Sequence, residues 1–436
     1  MVLVLLFYLL ILILICGVIL RIYFKSRRKN IVTFFHPNCM DCAGGERVLW
    51  AAVDAIKDKV PEIAMYSINN THDQAREKIF KHFGLEIPSN LQFINVGPAA
   101  FLKQNRFPHF TLILQAITSF FYAVKCLFKF VPSVVIDTTG APFAAPAWKL
   151  LGGCTVIFYH HYPFISTDML HLVEERKSSY NNDEKVAKSK ILSTIKIIYY
   201  RLMCKIYGFM GKFTDLVTVN STWTCGHFTE IFGFKPIIIY PPCDCTEFCK
   251  FPIESREKGL ILSVGQFRPE KNYPLQLEIM EKLKDTPEAH LIIAGGCRNQ
   301  NDQKLVDGLQ RTINEKNLRV QLRTNVPYDE LKQLYRKADI GLHTMYNEHF
   351  GICAVEYMAS GLIPMCNKSA GPLMDIVKDD NYLALDADEY VEKIKKALKD
   401  GDDVRIRFRE ESKKFSLEIF EKAFVDASLE LIKNNI

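Results

Sequence analysis

Two successive series of short apolar runs, each interleaved with helical patterns, constrain this chain more than any other feature. The first series covers residues 31–35, 63–68, 91–96, 134–137, 155–159, 216–220 and 237–240. The second covers 260–264, 291–294, 320–323, 340–343 and 363–366. Strands alternating with helices make parallel sheets, because a parallel connection needs a crossover long enough to hold a helix. Between the series stand Pro241-Pro242 and a mixed stretch to Lys258. The expected fold is therefore α/β, with two doubly wound Rossmann-like domains facing a cleft, at 31–242 and 260–412. A linker at 243–259 joins them. A last helix at 413–436, with an apolar stripe of Leu417, Phe420, Phe424, Ala427 and Leu431, serves as a brace. Such sheets bind ligands at the carboxyl ends of their strands.

Residues 2–20 contain no charge. As a helix they would span about 28 Å, close to the hydrocarbon thickness of a bilayer. Only Met1 precedes them, so the basic flank of a signal peptide is missing, and no small-residue cleavage site follows. The expectation is an uncleaved transmembrane anchor at 1–20. The alternative is a cleaved signal peptide on a secreted protein. The chain has 55 Lys and Arg against 49 Asp and Glu, a net charge of +6. Arg21, Lys25, Arg27, Arg28 and Lys29, with no acid among them, fill a basic juxtamembrane segment at 21–30. The positive-inside rule then places the body in the cytosol. The remainder is almost neutral, which argues against nucleic acid as a partner.

The 13 cysteines are odd in number and scattered. Cys39 and Cys42 form a Cys-x-x-Cys pair, and Cys243, Cys245 and Cys249 a second small group. Neither has the partner motif of a metal site, so no metal is expected and a reducing compartment fits best. On a cytosolic body the sequons at Asn69, Asn220 and Asn367 would stay bare. Two segments break the pattern. Residues 107–131 are strongly apolar and aromatic, readable as a membrane-associated helix or as a buried core helix. Residues 174–190 are charged and Ser/Asn-rich, as in a mobile loop.

Four stretches carry the chemistry. In 347–361, NEHFGICAVEYMASG, Glu348 precedes a helix opened by Phe350, Gly351 and Ile352, and Glu356 lies on it. The offset is about 9 Å along the axis, comparable with the reach from a sugar across a diphosphate to a ribose. The helix amino end suits phosphate, and Gly351 permits close approach. In 263–272, SVGQFRPEKN, a strand ends at Gly265, and Arg268 and Lys271 follow, placed to neutralise a diphosphate leaving group. In 154–168 a strand delivers His160-His161 to a Pro-bearing loop, where a histidine can bond a sugar hydroxyl or manage a proton. In 38–46 Gly44-Gly45 opens the first helix of the N-terminal domain and would shape the acceptor or phosphate side; no GxGxxG is present, so no nicotinamide site is expected.

The stretch from Asn347 to Val377 resembles the Glu-x7-Glu motif of retaining GT-B glycosyltransferases, and SVGQFRPEKN resembles their diphosphate-binding turn. HPNCMDCAGGERVLW, HHYPFISTDML and VNSTWT narrow the resemblance to the endoplasmic-reticulum lipid-linked-oligosaccharide α-1,2-mannosyltransferases that use GDP-mannose. It covers residues 31–377. It implies that Glu348 contacts the mannose, Glu356 the ribose, and Arg268 and Lys271 the diphosphate. Phe350, Gly351 and Ile352 would present backbone to the sugar and phosphates, and His161 would lie near the transferred mannose. It implies a metal-independent reaction on a dolichyl-diphosphate oligosaccharide at the ER membrane, adding the fourth and fifth mannoses, with other mannosyltransferases of the same assembly line as further partners. Gln266 stands where the wider superfamily often has Arg, leaving the share of Arg268 open. Another lipid-linked GT-B transferase, or an inactive GT-B scaffold, are the competing expectations.

Overall fold

The computed structural model describes residues 2–41, 43–68, 70–98, 107, 111–165, 169, 189–254 and 256–436. Cys42, Asn69 and most of the 174–190 loop lie outside them. The chain divides into two compact units. One comprises Met1–Asn220, Thr224–Ile239 and Glu421–Ile436, and the other Ser221–Trp223 and Tyr240–Phe420.

The first unit holds a seven-stranded parallel sheet of β1 (Arg28–Phe35), β2 (Ile63–Ser67), β3 (Leu91–Asn95), β4 (Val131–Asp137), β5 (Thr155–His160), β6 (Leu216–Val219) and β7 (Ile237–Ile238), in the order β3-β2-β1-β4-β5-β6-β7. The order reverses between β1 and β4, paired through Val32↔Val134 to Phe35↔Asp137. In doubly wound sheets such a switch point, at the strands' carboxyl ends, is where ligands bind. Every residue of β4 and β5 is buried, the mark of strands covered on both faces. Helix Gly44–Ile56 follows β1. Val48, Leu49, Ala52, Val53 and Ile56 form its buried face.

The second unit holds six parallel strands, β8 (Leu260–Val264), β9 (His290–Gly295), β10 (Val320–Thr324), β11 (Ile340–His343), β12 (Ile363–Asn367) and β13 (Leu383–Ala384), in the order β10-β9-β8-β11-β12-β13. Its switch point lies between β8 and β11. Gly341 in β11 is obligatory, since a Cβ there would fall 2.2 Å from the Tyr357 ring of helix Ile352–Ser360. That contact fixes the helix, and with it the loop carrying Glu348, against the sheet.

The basic segment at 21–30 is not a separate element. Helix Val2–Lys25 runs through its first half, and β1 begins at Arg28. Phe24 is fully buried, with its ring 4.9 Å from that of Phe128. The Arg21 and Arg28 guanidinium groups donate to the carbonyls of Leu150 and Gly153, each at 2.8 Å. Its base is thus welded to the first unit by apolar contact and charge-assisted bonds. The stretch Phe7–Lys25 is long and apolar enough to cross a membrane.

In the 107–131 stretch, helix Thr111–Lys129 is buried along one face and apolar on part of its exposed face. Ala116, Tyr122, Ala123, Cys126 and Leu127 are buried, while Ile117, Phe121 and Phe128 are exposed. Helix Lys190–Met210 adds exposed Ile191, Ile195, Ile198, Leu202 and Phe209, a helical stripe that the sequence reading left unremarked. Strand β13 was not foreseen, and the 243–259 stretch contains a short helix, Cys245–Phe248. The last helix is Leu417–Lys433, which groups with the first unit from Glu421 onward.

Candidate functional site

In the second unit the loops after β8 and β11 meet at the switch point. After β8 the chain turns at Gly265, whose carbonyl accepts a bond from Tyr273 Oη at 3.1 Å. A single 3-10 turn, Pro269–Lys271, then presents Lys271. Thr344, just beyond β11, donates from Oγ1 to the Lys271 carbonyl at 2.9 Å and accepts from Gln276 Nε2 at 3.0 Å. The Lys271 main chain is therefore tied to β11. Its Nζ lies 2.7 Å from Glu348 Oε2. The Glu348 backbone is held in turn, its carbonyl accepting from Gly371 N at 2.9 Å.

Gly351 caps the following helix at φ 107°, a left-handed conformation that excludes most side chains. The helix itself begins at Ile352, the last of the three residues expected to open it. The first amides of a helix have no intrahelical carbonyl to bond and carry the positive end of its dipole. Lys271, Glu348, Gly351 and Ile352 thus meet around one helix amino end. Phe350 contributes main chain only, for its ring is buried against Tyr240 and Phe415. Glu356 lies one turn into the helix, its Oε2 accepting from the buried Tyr335 hydroxyl at 2.7 Å. Arg268 is placed otherwise. Its half-exposed guanidinium lies 3.6 Å from Glu270, and it is the Arg268 carbonyl that meets Lys271, accepting from Lys271 N at 3.2 Å.

The electrostatics follow from this packing. Burial pushes the Glu348 carboxyl up, but Lys271 and His343 beside it outweigh that and hold it well below the usual carboxylate range. Lys271 loses solvation, yet Glu348 raises its pKa above the ordinary value. The pair is ionised at neutral pH, and its cation lies within reach of a phosphate at the helix end.

In the first unit the loops after β1 and β4 also touch. His36 follows β1, with Nδ1 2.7 Å from Thr138 Oγ1 and Nε2 3.0 Å from Glu46 Oε1. The second Glu46 oxygen accepts from Ala43 N at 2.8 Å and so caps helix Gly44–Ile56. Burial raises the Glu46 carboxyl, while His36 and the Ala43 amide more than offset it and leave it below its ordinary value. His161, just past β5, places Nε2 3.1 Å from the Thr138 carbonyl. A Cβ on Gly45 would lie 3.5 Å from the same nitrogen, so the helix start and the imidazole are neighbours. Gly44 is the exposed member of the glycine pair. His160 ends in the core instead, stacked 5.0 Å from Phe158 and pushed down to about 3 by burial.

The cysteine groups are packed. Cys39 is buried, and burial drives its thiol up to about 12. Cys243 and Cys245 are buried too, with Cys245 Sγ 3.2 Å from the Ser412 carbonyl. Sequence reasoning missed His36, Glu46, Thr138 and His343 as site neighbours. The available signal was a polar residue at the carboxyl end of a parallel strand.

Residues 29–232 match the family model described as ALG11 mannosyltransferase N-terminus, and residues 247–415 match glycosyl transferases group 1. The chain is 37% identical to a GDP-Man:Man(3)GlcNAc(2)-PP-Dol alpha-1,2-mannosyltransferase of Homo sapiens, over 94% of this chain and 88% of the relative. A Caenorhabditis elegans protein of the same name is 39% identical, over 94% of this chain and 92% of its own length. The chain belongs to this mannosyltransferase family. Among solved structures it is similar to a Burkholderia multivorans trehalose 6-phosphate synthase, with TM-score 0.66 and 15% identity over 93% of this chain and 99% of that one. Sucrose-phosphate synthase from Thermosynechococcus elongatus gives TM-score 0.65 at 15% identity, over 93% and 100%. At that identity the likeness speaks for the fold, which is GT-B. The parallel switch points and the Lys271–Glu348 pair are then features of a mannosyltransferase of this family.

Proposed function

We propose that this chain transfers mannose from GDP-mannose, with retention, to dolichyl-diphosphate-linked Man3GlcNAc2 on the cytosolic face of the ER, adding the fourth and fifth mannoses in α-1,2 linkage. The observation that carries the reading is the 2.7 Å Lys271–Glu348 pair beside the amino end of helix Ile352–Ser360. As the bond between mannose C1 and the diphosphate oxygen breaks, negative charge grows on the leaving GDP. Lys271 and the helix amides meet that charge, and Glu348 faces the oxocarbenium character that develops at C1. Lys271 and these amide dipoles do the work of a metal, so no metal cofactor is invoked. The acceptor hydroxyl attacks from the same face, and its proton passes to the departing phosphate. Glu356 holds the ribose, Gly265 lets the turn approach the phosphates, and Arg268 adds charge from solvent. His161 and the Gly44-Gly45 turn border the acceptor side.

The membrane placement has its own support. Helix Val2–Lys25 is held against the rest of the first unit at Phe24 and Arg21, and helices Thr111–Lys129 and Lys190–Met210 of that unit carry outward apolar stripes. A lipid-borne acceptor makes a bilayer the natural surface for them. Other mannosyltransferases of the same assembly line are proposed as neighbours there.

The test is to incubate detergent-solubilised full-length chain with GDP-mannose and a synthetic lipid-diphosphate trimannosyl chitobiose. The expected product gains mannose that an α-1,2-mannosidase removes, and excess GDP suppresses its formation far more than excess UDP. No transfer, or equal suppression by UDP, overturns the donor assignment.

A further inference from the structure

His343 is the last residue of β11 and is only 3% exposed. Its carbonyl accepts a bond from Tyr390 Oη at 3.0 Å, which fixes the main chain. Its Nδ1 is 3.4 Å from Cys353 Sγ on helix Ile352–Ser360. Its Nε2 is 3.2 Å from Glu348 Oε2, the same oxygen that meets Lys271 Nζ at 2.7 Å. One carboxylate oxygen thus lies between two cationic groups, the ammonium being the nearer.

The proposed chemistry creates a conflict that His343 resolves. When the diphosphate draws on Lys271, Glu348 loses its hydrogen-bonded partner at the moment it must be ionised. We propose that His343 is a positioning residue that takes over the Glu348 carboxylate as Lys271 turns to the diphosphate of the donor. The inference rests on the donor-site reading above and deepens it. The charged and titratable groups acting on the imidazole are Lys271 from the turn after β8, Glu348 from the loop after β11 and Cys353 from the helix; His349 acts on Glu348, Cys366 is the paired residue of β12, and Tyr390 of helix Ala387–Ala397 meets the His343 carbonyl. Burial opposes a charge on His343, but Cys353 and Glu348 outweigh it and lift its pKa to about 9, so the imidazolium is the prevailing form at neutral pH.

The consequence differs between the free enzyme and the donor complex. In the free enzyme Lys271 holds Glu348 whether or not His343 is present. In the complex His343 alone compensates the carboxylate. His343→Leu is therefore expected to lower kcat about 10–100-fold with little change in KM for GDP-mannose. The acid limb of kcat moves up by about one pH unit or more, while that of kcat/KM, which reports the free enzyme, moves much less. His343→Gln keeps an N–H donor without the charge and is expected to recover most of kcat, with a smaller displacement of the acid limb. Should the leucine variant fail to fold, the glutamine variant decides alone: its kcat acid limb lies above that of the unaltered chain, or the proposal is wrong. A uniform loss of kcat at every pH, or profiles identical to those of the unaltered chain, also overturns it. Glu348→Gln run in the same assay separates the two levels. Full activity there removes the donor-site reading itself, whereas an inactive Glu348→Gln alongside normal His343 variants removes only this inference.

Discussion

At the switch point of the first sheet, His36, Glu46 and Thr138 are bonded to one another and to the start of helix Gly44–Ile56. At the switch point of the second, Lys271 and His343 both converge on Glu348, and a helix amino end lies beside them. The strand order around the switch point is the same in both units, and so is the location of the polar residues. What differs is charge. The first cluster is a carboxylate and an imidazole that satisfy each other and shape a turn. The second gathers two cationic groups around one carboxylate and is left with positive charge to offer. A doubly wound sheet supplies the crevice, and the residues at its rim decide whether it is held rigid or kept receptive.

The sharpest way to break this contrast is Glu348→Gln, which removes the charge while keeping the shape. Transfer activity is expected to fall by about 1,000-fold, with GDP affinity within a few-fold of the unaltered chain. A loss of binding as large as the loss of turnover would make Glu348 a scaffold residue like Glu46. Next comes His161→Ala, for which turnover measured at saturating GDP-mannose is expected to drop about 100-fold. A change confined to donor KM would place His161 on the donor side instead.

Glu46→Gln tests the first cluster as a structural device. A loss of about 1–2 kcal/mol in denaturant unfolding is expected, with turnover of the folded fraction nearly unchanged. The Glu46 carboxyl is held below its ordinary value of 4.5 when folded. Its pairing therefore stabilises the fold above about pH 4.5, and that contribution disappears as the pH falls through the lower folded value. The gap between Glu46→Gln and the unaltered chain should close in acid; a gap that persists there would assign the effect to packing. The smallest effect belongs to Arg268→Ala. This side chain is solvent-facing and already near Glu270, so a rise of about 3-fold or less in donor KM is expected. A change of kcat by 100-fold would show that it swings into the site.

Much of the fold was legible because buried parallel strands read as unbroken apolar runs. Strands β8 and β11 fall on the residues that their sequence pattern marked, and most other strands agree to within a few residues. Strand β13, two residues long, carries no such signal. The charge of 21–30 was legible, but not that Phe24 docks in the core and that Arg28 opens a strand, since both depend on tertiary contact. Lys271 was legible from the strand end it follows, and Glu348 and Gly351 from the helix start beside them, although the two motifs are 77 residues apart. His36 and His343 were not, because each is one polar residue at the end of an apolar strand. Their partners are brought to them by strand order, Thr138 from β4's loop and Lys271 from β8's, and strand order is absent from local spacing. Arg268 shows the converse: adjacency in the motif placed it with Lys271, and the turn at Pro269–Lys271 points the two apart in environment.

The most direct test of the charge offered by the second unit is calorimetric titration of GDP and of guanosine into the detergent-solubilised chain and its Lys271→Met variant. If Lys271 receives the diphosphate, GDP affinity falls about 100-fold in the variant and guanosine affinity stays the same. If GDP binds the two proteins equally, or guanosine weakens in step with it, the diphosphate is held elsewhere.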